Sequence, residues 1–331
     1  MNTIFKVNPF ILERAAALRG SLGLSTALNL NPSFLLAILA NILWGASFLA
    51  SKYTLQAWGP FTASSLRFGI ATIGLFTVIT FLGKKIDIPR NTGEWLGILL
   101  IGTSAFGLLY PMQLAGLRYI SSSVSAAIML TSPLLVLALG KVVLKEKLTS
   151  SKWTSLFLGL MGGSILLFSN TNLSGLALSS DFFYGSLLTL ASASCLAISV
   201  ILTRKYSKDF SSTSLTFWTM AIGFLELTIA AFVFEENVLA NLTTNASVIS
   251  WVALIFLALV CSAFCFFIWN AALARTSPQE IASSMHIKTP TAVLIGVLIA
   301  NEVLSTQILL GTILVMAGVW LSQQKNFRST K

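Results

Sequence analysis

Residues Asn270 to Leu304 read NAALARTSPQEIASSMHIKTPTAVLIGVLIANEVL, a stretch holding the only histidine of the chain, His286, and a lysine, Lys288, inside an apolar run. A related pattern stands earlier, from Gln113 to Leu148: QLAGLRYISSSVSAAIMLTSPLLVLALGKVVLKEKL. Ala115, Arg118 and Pro133 match Ala272, Arg275 and Pro290 at a shift of 157. After a one-residue deletion, Glu146, Leu148 and Gly162 match Glu302, Leu304 and Gly318 at a shift of 156. Two halves of the chain follow one pattern. The departures of the second copy from the first, Lys288 in place of Thr131 and His286 in place of Met129, are where chemistry is to be sought.

The chain has 331 residues, 55% hydrophobic and 10% charged, where a soluble domain carries about 25% charged residues. Ten apolar runs follow one another, at about 33–51, 61–82, 95–113, 120–140, 153–169, 182–203, 213–233, 248–270, 278–300 and 307–322. Runs of this kind span a bilayer core of roughly 30 Å. In lipid they must be helices, because each backbone group has to be bonded within its own segment. The expectation is an all-α membrane protein of ten transmembrane helices.

Net charge is +10, but its placement argues for topology and against a nucleic-acid partner. With a cytoplasmic N-terminus, 17 of the 21 basic residues fall in the tails and inside loops; only Lys52 and Arg118 fall outside, and Arg67 and Lys288 lie within spans. That asymmetry is the positive-inside pattern and predicts both termini in the cytoplasm of a multi-pass cell-membrane protein. Cys195, Cys261 and Cys265 all fall in predicted spans, where Cys acts as a small apolar residue, so neither a disulfide nor a metal site is expected.

The predicted organisation is a tail over 1–32, a first five-helix repeat over 33–169, a linker over 170–181, a second repeat over 182–322 and a tail over 323–331. Five spans per half is an odd number, so the second copy inserts upside down relative to the first. Inverted repeats of this kind are the architecture of secondary transporters, whose site lies near the midplane where the repeats meet.

Candidate site residues follow from polarity in an apolar setting. Lys288 lies about ten residues into its span, where a lysine costs roughly 2.5–3.5 kcal/mol on insertion scales and usually faces a pathway. Holding a substrate anion is the preferred reading; a structural pair or a snorkelling side chain are the alternatives. His286 sits roughly 200° around the helix from Lys288, so one of the two lines a cavity while the other packs. Trp44-Gly45 in the first span sets a ring beside a gap, for a ligand, for helix packing or for an interfacial belt. Tyr110 and Gln113 close the third span, and Asn270, at the position matching Gln113, closes the eighth. Each amide either bonds a ligand or joins helices. Arg67, roughly 9 Å from its span end, is within snorkelling reach of the interface. Glu226 sits mid-span at a similar depth and either couples a proton or pairs with Arg67. Glu280 reads as part of a capping box, Ser277-Pro278-Gln279-Glu280, and Glu146 and Glu302 as caps or loop contacts.

Trp44-Gly45, Leu66-Arg67-Phe68, the small-residue runs before Pro133 and Pro290, Glu146 and Glu302 each followed by Leu-Thr or Leu-Ser, and a Gly-rich last helix in each half together resemble the drug/metabolite transporter superfamily, and within it the EamA-type carriers. The resemblance covers about residues 35–322. It implies a ten-helix bundle whose central cavity is lined mainly by the first, third and fourth helices of each half, and export or exchange of small metabolites, amino acids included, or drugs. The sequence departs from the family pattern at Ser194-Cys195-Leu196, where many relatives have Trp, and at His286 and Lys288.

No G-x-x-x-x-G-K-[ST] phosphate loop occurs, so ATP is not the direct energy source and no cofactor is expected. A proton gradient or substrate exchange must drive the carrier, as a monomer or a homodimer in the bilayer. The function expected is secondary transport of a small polar, carboxylate-bearing metabolite; a drug efflux carrier of the same fold is the alternative. An intramembrane enzyme is the rival from another class, but a single His excludes an H-E-x-x-H metal pair. Asp87, Asp181 and Asp209 fall in loops or at span ends, which leaves only a Ser–His286 dyad.

Overall fold

The computed structural model describes residues 32–83, 85–143, 145, 148–169, 180–206, 210–239, 246–273, 275 and 284–323. Among them are ten helical segments and no strand. They are α1 (Pro32–Thr54), α2 (Pro60–Phe81), α3 (Thr92–Leu117), α4 (Ser122–Val143), α5 (Ser150–Leu167), α6 (Ser180–Tyr206), α7 (Ser212–Phe234), α8 (Val248–Ala272), α9 (Met285–Ala300) and α10 (Thr306–Gln323). Eight are long and apolar enough to cross a membrane, α5 and the short apolar α9 being the other two. The capping box at Ser277–Glu280, Glu146, and most of the linker and both tails lie outside the described residues.

Local chemistry sets the starts. Pro60 occupies the first turn of α2, where its missing N–H costs nothing. Ser121, Ser211 and Ser247 accept from the backbone N–H of Val124, Ser214 and Ser250, capping α4, α7 and α8. Asn91 and Glu94 cap α3 reciprocally. Three helices are interrupted in mid-course. α3 and α8 each contain a π segment, Thr103–Leu108 and Phe256–Phe264, and these overlap when the first is shifted by 157 residues. α9 opens with a single 3₁₀ turn, Met285–Ile287, before turning α-helical at Lys288. Such irregularities inside helices cluster at functional sites.

The two halves are interleaved. The most extensive helix contacts join one half to the other: α5 with α10, α2 with α7, α1 with α8 and α9, α6 with α3 and α4, α2 with α8, and α7 with α3. With α1 matched to α6 and so on through α5 and α10, that set maps onto itself, as an inverted repeat requires. Glycines allow the closest crossing, between α5 and α10. A Cβ on Gly162 would stand 2.7 Å from the Gly311 carbonyl oxygen, and one on Gly318, its repeat partner, 2.8 Å from that of Ser155.

Carboxylates in the connections also bind half to half. Glu235, after α7, accepts from the backbone N–H of Phe61 and Thr62 (2.7 and 3.0 Å) and from Thr62 Oγ1 (2.6 Å), at the N-terminus of α2. Asp87, after α2, accepts from the Ser211 N–H at the N-terminus of α7, and hydrogen bonding from Ser211 holds its carboxyl below the usual carboxylate range. Glu302, between α9 and α10, accepts four bonds from the N–H and hydroxyl groups of Ser122 and Ser123 at the start of α4. Each places negative charge where a helix dipole is positive and backbone donors are free. The capping role expected of Glu302 is fulfilled on a helix of the opposite half. Lys52, at the end of α1, completes this cluster with an ion pair of 3.7 Å to Glu302.

Candidate functional site

Where the halves meet, a cavity of ≈ 270 Å³ is lined by residues of α1, α2, α3, α4, α6, α8 and α9. α1 contributes one face at helical spacing, Asn41, Trp44 and Phe48. Trp44 is therefore not in an interfacial belt: its ring packs against Phe266 and Trp269 of α8 (centroids 5.6 and 5.1 Å), and its Nε1–H donates to the Cys261 carbonyl at 2.8 Å. That carbonyl belongs to the π segment of α8, where the altered ladder leaves backbone groups available to side chains. Gly45, beside it, lets α9 approach, since a Cβ there would meet the Lys288 carbonyl oxygen at 2.7 Å.

Lys288 lines the cavity from the first turn of α9, its Nζ 5.3 Å from the centroid of the Phe48 ring. Neither an ion pair nor a hydrogen bond of its ammonium is found among the described residues. His286 faces elsewhere, as the 200° separation requires: its Nε2 lies 2.9 Å from Gln323 Oε1 of α10. It borders only a much smaller void of ≈ 40 Å³ behind Lys288.

Arg67 corrects two expectations. It does not snorkel; it is 2% exposed and turned inward, lining the same cavity. Nor does it pair with Glu226. Its Nε donates to Ser262 Oγ at 2.9 Å, in the π segment of α8, and its guanidinium lies over the Tyr110 ring at 4.7 Å. Glu226 points instead to the π segment of α3, where its Oε1 accepts from Thr103 Oγ1 and its buried Oε2 has no partner, in a space left by Gly107. Depth along packed helices brought the two charges level, but α2 and α7 aim them at opposite neighbours.

The matched amides also part ways. Gln113 lines the cavity with no hydrogen bond among the described residues. Asn270 is absent from the cavity wall and joins helices, its Nδ2 donating to Thr216 Oγ1 (3.1 Å) and the Ser212 carbonyl (3.4 Å) of α7. Gln113→Ala is accordingly expected to raise the KM of transport several-fold with little change in thermal stability. Asn270→Ala should lower stability by about 1 kcal/mol and leave KM unchanged. Thermal unfolding and transport kinetics of the two variants, run side by side, check the division.

Trp269, Phe266, Phe48, Met129 and Asn41, none of them an expected site residue, also line the wall. Phe48 was within reach, four residues from Trp44 on one helix face. Trp269 had no such signal, because the shift that aligns the repeats pairs it with Met112. Among the described residues no carboxylate lines the cavity, while two cations do, each costing roughly 2.5–3.5 kcal/mol to hold within a membrane.

An inverted-repeat helical bundle, interleaved around a largely apolar cavity that holds two cations, defines a polytopic membrane carrier. The chain belongs to the EamA-like transporter family, whose model matches it twice, over residues 31–168 and 183–323. It is thus a membrane transporter of the drug/metabolite transporter type. It is 29% identical over 294 residues to the uncharacterized transporter YcxC of Bacillus subtilis (strain 168), covering 87% of this chain and 91% of YcxC. To the "Probable amino-acid metabolite efflux pump" of Salmonella typhimurium (strain LT2) it is 24% identical over 293 residues, with 87% and 93% covered. A solved structure at 16% identity shares the fold, with a TM-score of 0.61 over 88% of this chain and 96% of its own.

Proposed function

We propose that the protein is a secondary active transporter, an exporter or exchanger of a small polar metabolite carrying an anionic group, working by alternating access. The observation that carries this reading is the Lys288 ammonium in the cavity between the halves, with no carboxylate partner among the described residues. Trp44, Trp269 and Tyr110 offer surfaces to an organic skeleton and the Gln113 amide a hydrogen bond. The name of the Salmonella relative supports a metabolite, an amino acid or similar carboxylate-bearing compound, as cargo. A cavity edged, among the described residues, by two cations and no carboxylate disfavours the cationic compounds that many drug carriers would have to hold.

Glu226, in mid-span with one buried carboxyl oxygen that has no partner among the described residues, is the group proposed to carry a coupling proton. His286 sits with Gln323 rather than with a serine, so a dyad enzyme finds no support in its hydrogen bonding. The 17-to-2 division of basic residues supports both termini on the cytoplasmic side of the cell membrane.

The test is metabolite profiling of cells and medium for wild type against Lys288→Ala at matched membrane levels. The expected result is that one class of anionic or zwitterionic compounds redistributes with wild type, and at least about tenfold less with the variant. Equal redistribution by both would make Lys288 structural and move the site elsewhere.

A further inference from the structure

The anion reading of Lys288 accounts for one of the two cations in the cavity. Arg67 is the other, and its surroundings are those of a built binding group. Of the five N–H donors of a guanidinium, one is engaged among the described residues, Nε to Ser262 Oγ. The Tyr110 ring, 4.7 Å away, lies against the guanidinium carbon. Stacking on a ring leaves the edge of the guanidinium open, and that edge is the fork that grips a carboxylate or phosphate with two parallel bonds. The side chain is 2% exposed yet lines the cavity, so its remaining donors reach neither bulk water nor any acceptor found among the described residues.

Resting on the functional reading above, we propose that the substrate is a dianion without an ammonium group: a small dicarboxylate or a phosphate ester, one charge on Lys288 and the other on the Arg67 fork. Among the described residues the cavity wall holds no carboxylate to receive an ammonium, which sets an amino-acid zwitterion at a disadvantage. Gln113, which lines the cavity, supplies an amide for neutral oxygens between the charges. A volume of ≈ 270 Å³ lies near the small end of the range for ligand pockets, which suits a small metabolite.

The experiment titrates the purified full-length protein with succinate, inorganic phosphate, lactate or alanine, reading thermal stabilisation and quenching of tryptophan fluorescence, since Trp44 and Trp269 line the site. Succinate or phosphate is expected to bind at least about tenfold more tightly than lactate or alanine, the margin of a second charge-assisted contact. Tighter binding of succinate identifies two separate anionic groups, and tighter binding of phosphate one divalent group. Arg67→Gln should erase the dianion advantage while leaving lactate binding within about twofold, and Lys288→Gln should weaken every anion. If Arg67→Gln does not fold, Arg67→Lys keeps the charge without the fork and is expected to fall between wild type and lactate-level binding. Equal affinity for lactate and succinate, or dianion binding indifferent to Arg67, overturns the inference but leaves the carrier reading intact. Anion binding indifferent to Lys288, or no binding of any probe, overturns both.

Discussion

Replacing Gly162 by leucine is expected to leave no folded protein to recover from the membrane, and replacing it by alanine to cost about 1–3 kcal/mol. The reason is what a side chain there would meet. A Cβ on Gly162 falls 2.7 Å from the Gly311 carbonyl oxygen and 2.8 Å from the Val315 nitrogen. Both are backbone atoms of α10, which cannot rotate aside as a side chain can. α5 and α10 make the most extensive helix contact in the protein, and in lipid that contact rests on packing, because hydrocarbon solvates an exposed leucine as well as a neighbouring helix does. Gly163, one residue on, is the control: a Cβ there meets nothing closer than Thr131 Cγ2 at 3.7 Å, so Gly163→Ala should be neutral within about 0.5 kcal/mol. Thermal unfolding of the three variants in detergent, with recovery of monodisperse protein, decides it. Equal behaviour of Gly162→Ala and Gly163→Ala would mean that the two helices do not approach as described.

Glu302→Ala is expected to destabilise the protein by about 1–3 kcal/mol, the usual consequence of leaving buried donors without their acceptor. The carboxylate takes four hydrogen bonds of 2.6–3.0 Å from Ser122 and Ser123, and alanine leaves those donors unmet at a buried helix start. Acid should do gradually what the substitution does at once. Burial acts to raise the carboxyl of Glu302, but the bonds from Ser123 and Ser122 outweigh it and hold the group below its ordinary value. Its contribution is therefore present in full above the ordinary glutamate range and is lost as pH falls through the lowered folded value. Unfolding midpoints measured against pH should converge for wild type and Glu302→Gln toward the acid end and diverge toward neutrality. Parallel curves over the whole range would mean that the charge on Glu302 contributes nothing.

Much of this was legible in the residues because membranes constrain a chain so tightly. Ten apolar runs, their odd number per half and the matched Pro133 and Pro290 were enough for an inverted five-helix repeat. Chemistry stood out where the second copy broke the pattern, and Lys288 does line the cavity. The direction in which a side chain is aimed was less accessible. Arg67 lies near a span end, and depth alone allowed it to reach the interface. What turns it inward is Ser262, on a helix nearly two hundred residues away, in a π segment with no sequence signature. Equal depth suggests pairing Arg67 with Glu226, whereas α2 and α7 meet through Ser65 and Thr228 and send their charges apart, to α8 and α3. Gln113 and Asn270 carry a similar lesson. Repeat symmetry equates their positions along the helix but not their surroundings, because the residues facing them have diverged.

On the proposed function, substrate passes through the cavity that Lys288 lines. The most direct measurement loads sealed proteoliposomes with an isotope-labelled extract of small metabolites and identifies by mass spectrometry what leaves, for wild type, Lys288→Gln and protein-free vesicles. The account predicts that a narrow set of anionic compounds escapes from wild-type vesicles at least about tenfold faster than from the other two. Equal loss from wild-type and Lys288→Gln vesicles, or retention in all three, would contradict it.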